Sequence, residues 1–278
     1  MSEFDPERFK QQERAGYNLI APRYEAASQV MRAGLAERLL DAAQLAAGQQ
    51  LLDIACGPGA TTRAAAQRVL PGGSATGCDI AEAAIELARQ RAAEAGVINI
   101  NFDPADAERL PYAAARFDRV LCGLGLMHFP AADRALAEMA RVTRSGGQVA
   151  LSVWGEAAAV PLLACAIACL KRNLPPPKVE RPSVFRFGQP DVLRALLQSQ
   201  GFAAVSITPF TVCAEFASAE DYWHGFLDLA GVSTVAIVRL PEATQALLAR
   251  DVANDLAPFR TGTSYRLDSI AWIATAVR

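Results

Sequence analysis

Three places in this chain hold residue types at spacings that could do chemistry. In LLDIACGPGA, Leu51 to Ala60, an apolar run carries Asp53 and Ala55 and opens through Cys56 into Gly57-Pro58-Gly59. Glycines let a backbone approach a ligand that side chains would push away, and a helix starting after such a turn offers unpaired N–H groups to an anionic or polar group. The segment therefore reads as a cradle for a nucleoside cofactor. Asp79 closes the next apolar stretch, ATGCD, about twenty residues past the first loop glycine, where an open α/β sheet places a carboxylate against a ribose diol. A carboxylate only accepts, so Asp79 can serve both hydroxyls; it can equally cap a helix starting at Ala81, and the two roles are compatible. His128 sits in GLMHF, past a further apolar stretch. An imidazole there could take a proton from a hydroxyl, an amine or an activated carbon, or could pack and hydrogen-bond locally to set its loop.

The elements that must position these residues alternate. Asn18 to Leu45 reads as helical, with Leu35, Leu39 and Leu40 on compatible turns, and Gly48 ends it. Strands are expected at Gln50–Ala55, Ser74–Cys78, Ile98–Phe102, Phe117–Cys122 and Gln148–Trp154. Helices are expected between them at Thr61–Leu70, Ala81–Ala95 and Asp133–Thr143. Pro71-Gly72-Gly73, Gly96 and Ser145-Gly146-Gly147 punctuate the register. Alternation of this kind implies a parallel sheet with helices on both faces. After Gly155 come an apolar helix, the run Pro175-Pro176-Pro177, a helix near Asp191 to Gln200, a β-like stretch Phe202–Phe216, a helical block Ala219–Ala257 and a last strand, Ser269–Val277. The organisation expected is an N-terminal lid over 1–47, a cofactor-binding core over 48–155 and a C-terminal part over 156–278.

With 278 residues and 52% hydrophobic composition the chain can bury a large core. A formal charge of -2 and no run of Lys or Arg argue against nucleic acid and for a small-molecule substrate. The longest apolar stretch, Val160 to Leu170, is too short to span a bilayer, and MSEFDPERFKQQER lacks the apolar centre of a secretory signal. No membrane partner and a cytoplasmic location are therefore expected. Six cysteines without C-x-x-C spacing fit reduced thiols, and the spacing is wrong for zinc, so no metal is expected.

The glycine turn alone also fits a dinucleotide enzyme, since Gly57-x-Gly59-x-x-Thr62 is close to that fingerprint with its third glycine replaced. The wider text argues otherwise. Asp53 at the end of the first strand, the acidic segment Asp103 to Glu108, FDRVLCGLGLMHF and RVTRSGGQVALSVWG together resemble a class I S-adenosylmethionine-dependent methyltransferase, closest in text to the quinone-biosynthesis C-methyltransferase type. The resemblance covers roughly Tyr17 to Trp154. It implies an α/β, Rossmann-like, doubly wound seven-stranded sheet with its last strand antiparallel, an N-terminal helical lid and a C-terminal cap insertion. It also implies that Asp53 and the backbone of Ala55 to Gly59 hold the methionine part, with Cys56 in that loop. Asp79 would hold the ribose, Ile80 would flank the adenine, and Asp106 and Ala107 would meet its edge. Cys122-Gly123 match the turn after the fourth strand, and Tyr17 and Tyr24 lie in the lid. The expected activity is methyl transfer by in-line displacement to a small, hydrophobic or aromatic metabolite, leaving S-adenosylhomocysteine, with His128 as base. An NAD-dependent oxidoreductase and a protein that binds the cofactor without methyl transfer are the rival readings.

The chain departs from the quinone enzymes after Trp154. There Trp154, Trp223 and His224 are the candidates for the substrate pocket, the last two from AEDYWHGF; core packing is the competing role of the aromatic residues. The helix Pro161–Leu170 is apolar all round, which implies burial between elements, in a cap or in the subunit contact of a homodimer.

Overall fold

Leu51, Leu52 and Ile54 are all buried, so β1 (Gln50–Ile54) is covered on both faces. That is why its sequence is a continuous apolar run rather than an alternation. The computed structural model describes residues 4–31, 34–177 and 180–278. Parallel to β1 run β2 (Ser74–Asp79), β3 (Ile100–Pro104), β4 (Phe117–Gly123) and β5 (Thr143–Trp154). Completing the sheet are β6 (Ala203–Phe216), the two-residue β7 (Arg260–Thr261) and β8 (Ser264–Val277). The order is β3-β2-β1-β4-β5-β8-β6, with β7 folded onto the start of β8. Strand β8 is antiparallel to both β5 and β6, the reversed last strand expected from the sequence, with β7 as an unforeseen eighth.

The chain reverses its direction of growth across the sheet between β1 and β4. At such a switch point the carboxyl ends of adjacent strands open a crevice for ligands. The register puts Asp53 beside Gly77 and Leu121, so Asp53, Asp79 and Gly123 all arrive at this one edge. Helices α3 (Ala60–Arg68), α4 (Glu82–Glu94) and α5 (Ala132–Val142) return the chain between strands.

Two long helical regions depart from the expected boundaries. Helix α1 (Pro6–Met31) begins well before Asn18, because Asp5 accepts from the Arg8 amide at 3.0 Å and Pro6 follows it at the first helical position. Helix α2 (Leu35–Ala42) is a separate element after Gly34, whose φ of 74° places it outside helical space. The block expected over Ala219–Ala257 is three helices, α8 (Ala219–Leu229), α9 (Val232–Ile237) and α10 (Glu242–Asp255), broken at Gly231 and Pro241. Strand β3 starts two residues later than expected, leaving Ile98 95% exposed in the turn.

Helix α6 (Pro161–Asn173), apolar all round as far as Leu170, buries one face within the chain and leaves Leu163, Cys165, Ile167 and Leu170 half-buried. Leu162, Ala166 and Cys169 are buried. The Tyr222 hydroxyl of α8 donates to Leu162 O at 2.9 Å, and Cys169 Sγ contacts Leu248 O of α10 at 3.6 Å. Helix α7 (Pro190–Ser199) packs against β6. Helices α8 and α9 also meet α1, where Arg23 pairs with Asp228 at 3.5 Å and Tyr17 lies against Gly231. No helix among the described residues is long and apolar enough to cross a membrane.

Candidate active site

The site begins at the turn after β1. Gly57 and Gly59 both have positive φ, 53° and 76°, and Gly59 also has no room for a side chain: a Cβ there would lie 2.6 Å from the Phe102 ring. The Gly57 amide donates to Asp79 Oδ2 at 2.9 Å, and the Ala81 amide donates to Asp79 Oδ1 at 2.9 Å. Asp79 therefore ties the turn to the residue that precedes α4 and faces the crevice; it does not cap the helix, whose N-cap is Ala81 with no side-chain cap bond. Asp53 is buried beneath the turn and accepts from the Thr62 hydroxyl at 2.6 Å.

Around these residues lies a cavity of about 360 Å³, within the range of small-molecule sites. Its floor is Asp53, Ala55, Cys56 and Gly57 from the first turn, with Asp79 and Ile80 from the second. One wall is Ala105 to Glu108; another is Gly123 to Gly125 and His128 to Pro130. Its roof is one face of α1, which presents Phe9, Lys10, Glu13, Tyr17, Ala21 and Tyr24, together with Leu35 and Leu39 of α2. The spacing of Phe9, Glu13, Tyr17 and Tyr24 is that of a single helical face.

The roof is fastened by charge. Lys10 pairs with Asp106 at 2.8 Å and Glu108 at 2.7 Å, while Glu25 pairs with Arg63 of α3 at 3.1 Å and Arg91 of α4 at 3.0 Å. Burial would lower the Lys10 pKa, but its hydrogen bonds to Asp106 and Glu108 outweigh this and raise it. Asn18 accepts from the Ala83 amide at 2.9 Å, so α1 also closes over the first turn of α4.

Burial governs the titration of the floor. It pushes the Asp53 carboxyl up to about 7; the Thr62 hydrogen bond opposes the rise and the charge of Asp79 adds to it. Asp79 is raised by burial against three backbone N–H groups that favour its ionised form. Burial and the neighbouring carboxylates hold the Cys56 thiol well above its usual range, and burial raises Cys122 to about 12. These cysteines are neutral packing groups rather than nucleophiles.

The comparisons with known proteins agree with this geometry. Residues 51–147 match the methyltransferase domain family. Over those residues the chain is similar to methyltransferase domains. The ubiquinone/menaquinone biosynthesis C-methyltransferase UbiE of Bordetella parapertussis is 38% identical over 138 residues, 48% of this chain and 53% of that protein. The aklanonic acid methyltransferase DauC of a Streptomyces species is 37% identical over 118 residues, 42% of this chain and 54% of that one. The chain thus spans about half the length of the curated relatives it matches. Among solved structures, the (4+2)-cyclase SpnF superposes with a TM-score of 0.64 over 97% of this chain and 96% of its own, at 22% identity, a likeness of fold.

The turns after β1, β2 and β4, the segment after β3 and the α1 roof bring Tyr17, Tyr24, Asp53, Ala55, Cys56, Gly57, Asp79, Ile80, Asp106, Ala107, Gly123 and His128 to one cavity. Gly59 stands just behind the lining, where it admits Phe102, and Cys122 is buried under the turn, its sulfur against Gly125. The expected substrate residues are placed elsewhere. Trp154 is buried in the sheet opposite Ala271, Trp223 stacks on Phe226 at 5.8 Å within the core, and His224 is exposed. Tyr222, Trp223, Phe226 and Leu229 form the buried face of α8, so the aromatic cluster there is a core stripe. None of the three lines this cavity.

Sequence reasoning missed Glu13, Lys10 and two arginines, Arg181 and Arg186, and the bond from Thr62 to Asp53. Arg186 donates to Leu126 O at 3.2 Å and also bonds Phe129 O, bracing the turn that carries His128. The Phe9-Glu13-Tyr17 spacing was the available signal for Glu13. The arginines lie in a segment without periodic pattern.

Proposed function

We propose that the protein transfers the methyl group of S-adenosylmethionine to a small, hydrophobic or aromatic metabolite by in-line displacement. The observation that carries this reading is the closed arrangement of Gly57, Asp79 and Asp53 on the floor of a cavity whose wall holds His128. The residues fit the cofactor. Asp79 has carboxylate lone pairs to offer the ribose hydroxyls, the first turn exposes backbone to the amino-acid part, and two carboxylates on the floor suit a sulfonium cation. When bound, the cofactor supplies an electrophilic methyl group on sulfur. The chain's own part is alignment, exclusion of water by α1, and removal of a proton by His128 where the acceptor is protonated.

An apolar acceptor is supported by Phe9, Leu35, Leu39 and Phe129 in the lining, and by relatives named for quinone and aklanonic acid methylation. In the same reading residues 1–47 are a lid, 48–155 the cofactor-binding core, and 156–278 complete the sheet and carry a cap. Calorimetry with S-adenosylhomocysteine tests the cofactor. Asp79→Ala removes the acceptor for two hydroxyls, an expected loss of about 3 kcal/mol, or roughly a hundredfold in affinity. Labelled methyl donor with a panel of hydroquinones and phenolic polyketides tests the transfer. Affinity untouched by Asp79→Ala would overturn the cofactor assignment, and binding with no labelled product across the panel would overturn the transfer.

A further inference from the structure

Glu13 is a carboxylate on the roof of the cavity with only 7% of its surface exposed. Its Oε2 lies 3.7 Å from Nδ1 of His128, and its Oε1 lies 2.8 Å from a guanidinium nitrogen of Arg181. Arg181 also sits over the ring of Phe9, one helical turn before Glu13, at 5.7 Å. Tyr17, one turn after, meets the His128 ring edge-on at 6.0 Å between centroids. The same face of α1 thus meets the imidazole at two residues, Glu13 and Tyr17. Burial raises the Glu13 pKa and Arg181 opposes the rise.

A buried ion pair adds little to stability over apolar residues of the same size, and the neighbours of Glu13 on this face, Phe9 and Tyr17, are aromatic. Packing alone gives no reason for a carboxylate at this position. The group it faces does.

We propose that Glu13 is the positioning residue of His128 and that Arg181, from the segment between α6 and α7, holds Glu13 against it. The inference rests on the methyl-transfer reading. A carboxylate facing Nδ1 favours the tautomer with its proton on that nitrogen, which leaves Nε2 as the proton acceptor. In the transfer, the acceptor's lone pair forms the new bond to the methyl carbon as the C–S bond breaks, the electron pair of that bond stays on sulfur, and the acceptor's proton passes to Nε2. Glu13 then faces a full imidazolium. Among the described residues, the charged and titratable groups on this side of the cavity include Glu13, Tyr17 and Lys10 from α1, Arg181 and Arg186 from the segment after α6, and Glu108, which pairs with Lys10 and accepts from the Ala131 amide at 2.7 Å. Arg181 therefore joins, through Glu13, the region beyond the matched residues 51–147 to the proton-accepting group inside them.

The chain has two histidines, so imidazole carbon-bound proton resonances give two titration curves, assigned with the exposed His224→Asn. In Glu13→Gln the His128 midpoint is expected to move down by about one pH unit while that of His224 stays, because a carboxylate within ion-pair distance favours the charged imidazole. In the same variant kcat is expected to fall about tenfold or more with S-adenosylhomocysteine affinity within about twofold. Long-range proton–nitrogen spectra of the unaltered protein read the neutral tautomer without any substitution, and the Nδ1–H form is expected. An unmoved His128 in folded Glu13→Gln, or an Nε2–H tautomer in the unaltered protein, overturns the proposal. A shifted His128 in a protein that transfers no methyl group would overturn the functional reading and leave the pairing standing, so the two failures are distinct.

Discussion

Replacing Asp53 with asparagine separates what this carboxylate costs the empty fold from what it contributes to a bound ligand. Burial raises its pKa from 3.8 to about 7, so between those values the native state holds a proton that the unfolded chain has released. Stability therefore falls as pH rises through that window, and the loss is complete above about 7. Roughly three units at about 1.36 kcal/mol each set a ceiling of about 4 kcal/mol, and roughly two of those units lie above about pH 5, which leaves about 2 to 3 kcal/mol for a comparison starting there. Asp53→Asn removes the titration and keeps an oxygen for the Thr62 hydroxyl. In urea unfolding of ligand-free protein at about pH 5 and about pH 8, the variant is expected to gain on the unaltered chain by about 2 to 3 kcal/mol as pH rises. Ligand binding should reverse the preference. The ammonium of S-adenosylhomocysteine placed near Asp53 favours its ionised form, so binding at about pH 6 should release most of one proton, counted by calorimetry in buffers of different ionisation enthalpy. The variant should release none and bind more weakly. Parallel stability curves together with no proton release from the unaltered protein would refute the reasoning.

Gly59→Ala should be costly on two separate grounds. A left-handed backbone costs an alanine about 1–2 kcal/mol, and its Cβ would sit 2.6 Å from Phe102 and 3.0 Å from the Ala88 Cβ, adding about 1–3 kcal/mol of overpacking. Urea unfolding should show a loss of about 2–5 kcal/mol, part of it recovered in the double variant with Phe102→Leu; a loss that Phe102→Leu does not relieve would refute the steric part. His128→Ala should bind S-adenosylhomocysteine within about twofold of the unaltered protein while kcat falls at least a hundredfold, about the worth of a positioned base. Turnover at the original rate would remove His128 from the mechanism.

The parallel half of the sheet was legible because its signals are local. Leu51, Leu52 and Ile54 form an unbroken apolar run, Gly57 and Gly59 mark a positive-φ turn, and Pro71-Gly72-Gly73 marks the turn into β2. Each of these depends on neighbours within a few residues. The start of α1 carried a local signal too, Asp5-Pro6, but no apolar stripe strong enough to extend the helix back from Asn18. Its buried face carries Lys10 and Glu13 among the aromatic residues, and a stripe containing charge does not register as an apolar face.

That mixed stripe also explains why the aromatic cluster of α8, and Tyr17 and Tyr24 of α1, drew attention while Lys10 and Glu13 on the same face of α1 did not. Tyr222, Trp223 and Phe226 look like a ligand wall, yet they sit opposite helices that cover them, while His224 points away from that face. Whether an aromatic stripe faces a cavity or a core depends on what packs against it, and that partner lies tens of residues away in the chain. Glu13 shows the converse. A lone carboxylate in FKQQERAGY reads as solvated, and only the approach of Arg181 and His128, each more than a hundred residues distant, gives it a buried counter-charge and a group to orient. Glu13 meets His128 from inside the matched residues 51–147 and Arg181 from beyond them, so its chemistry emerges only when both segments are folded against α1.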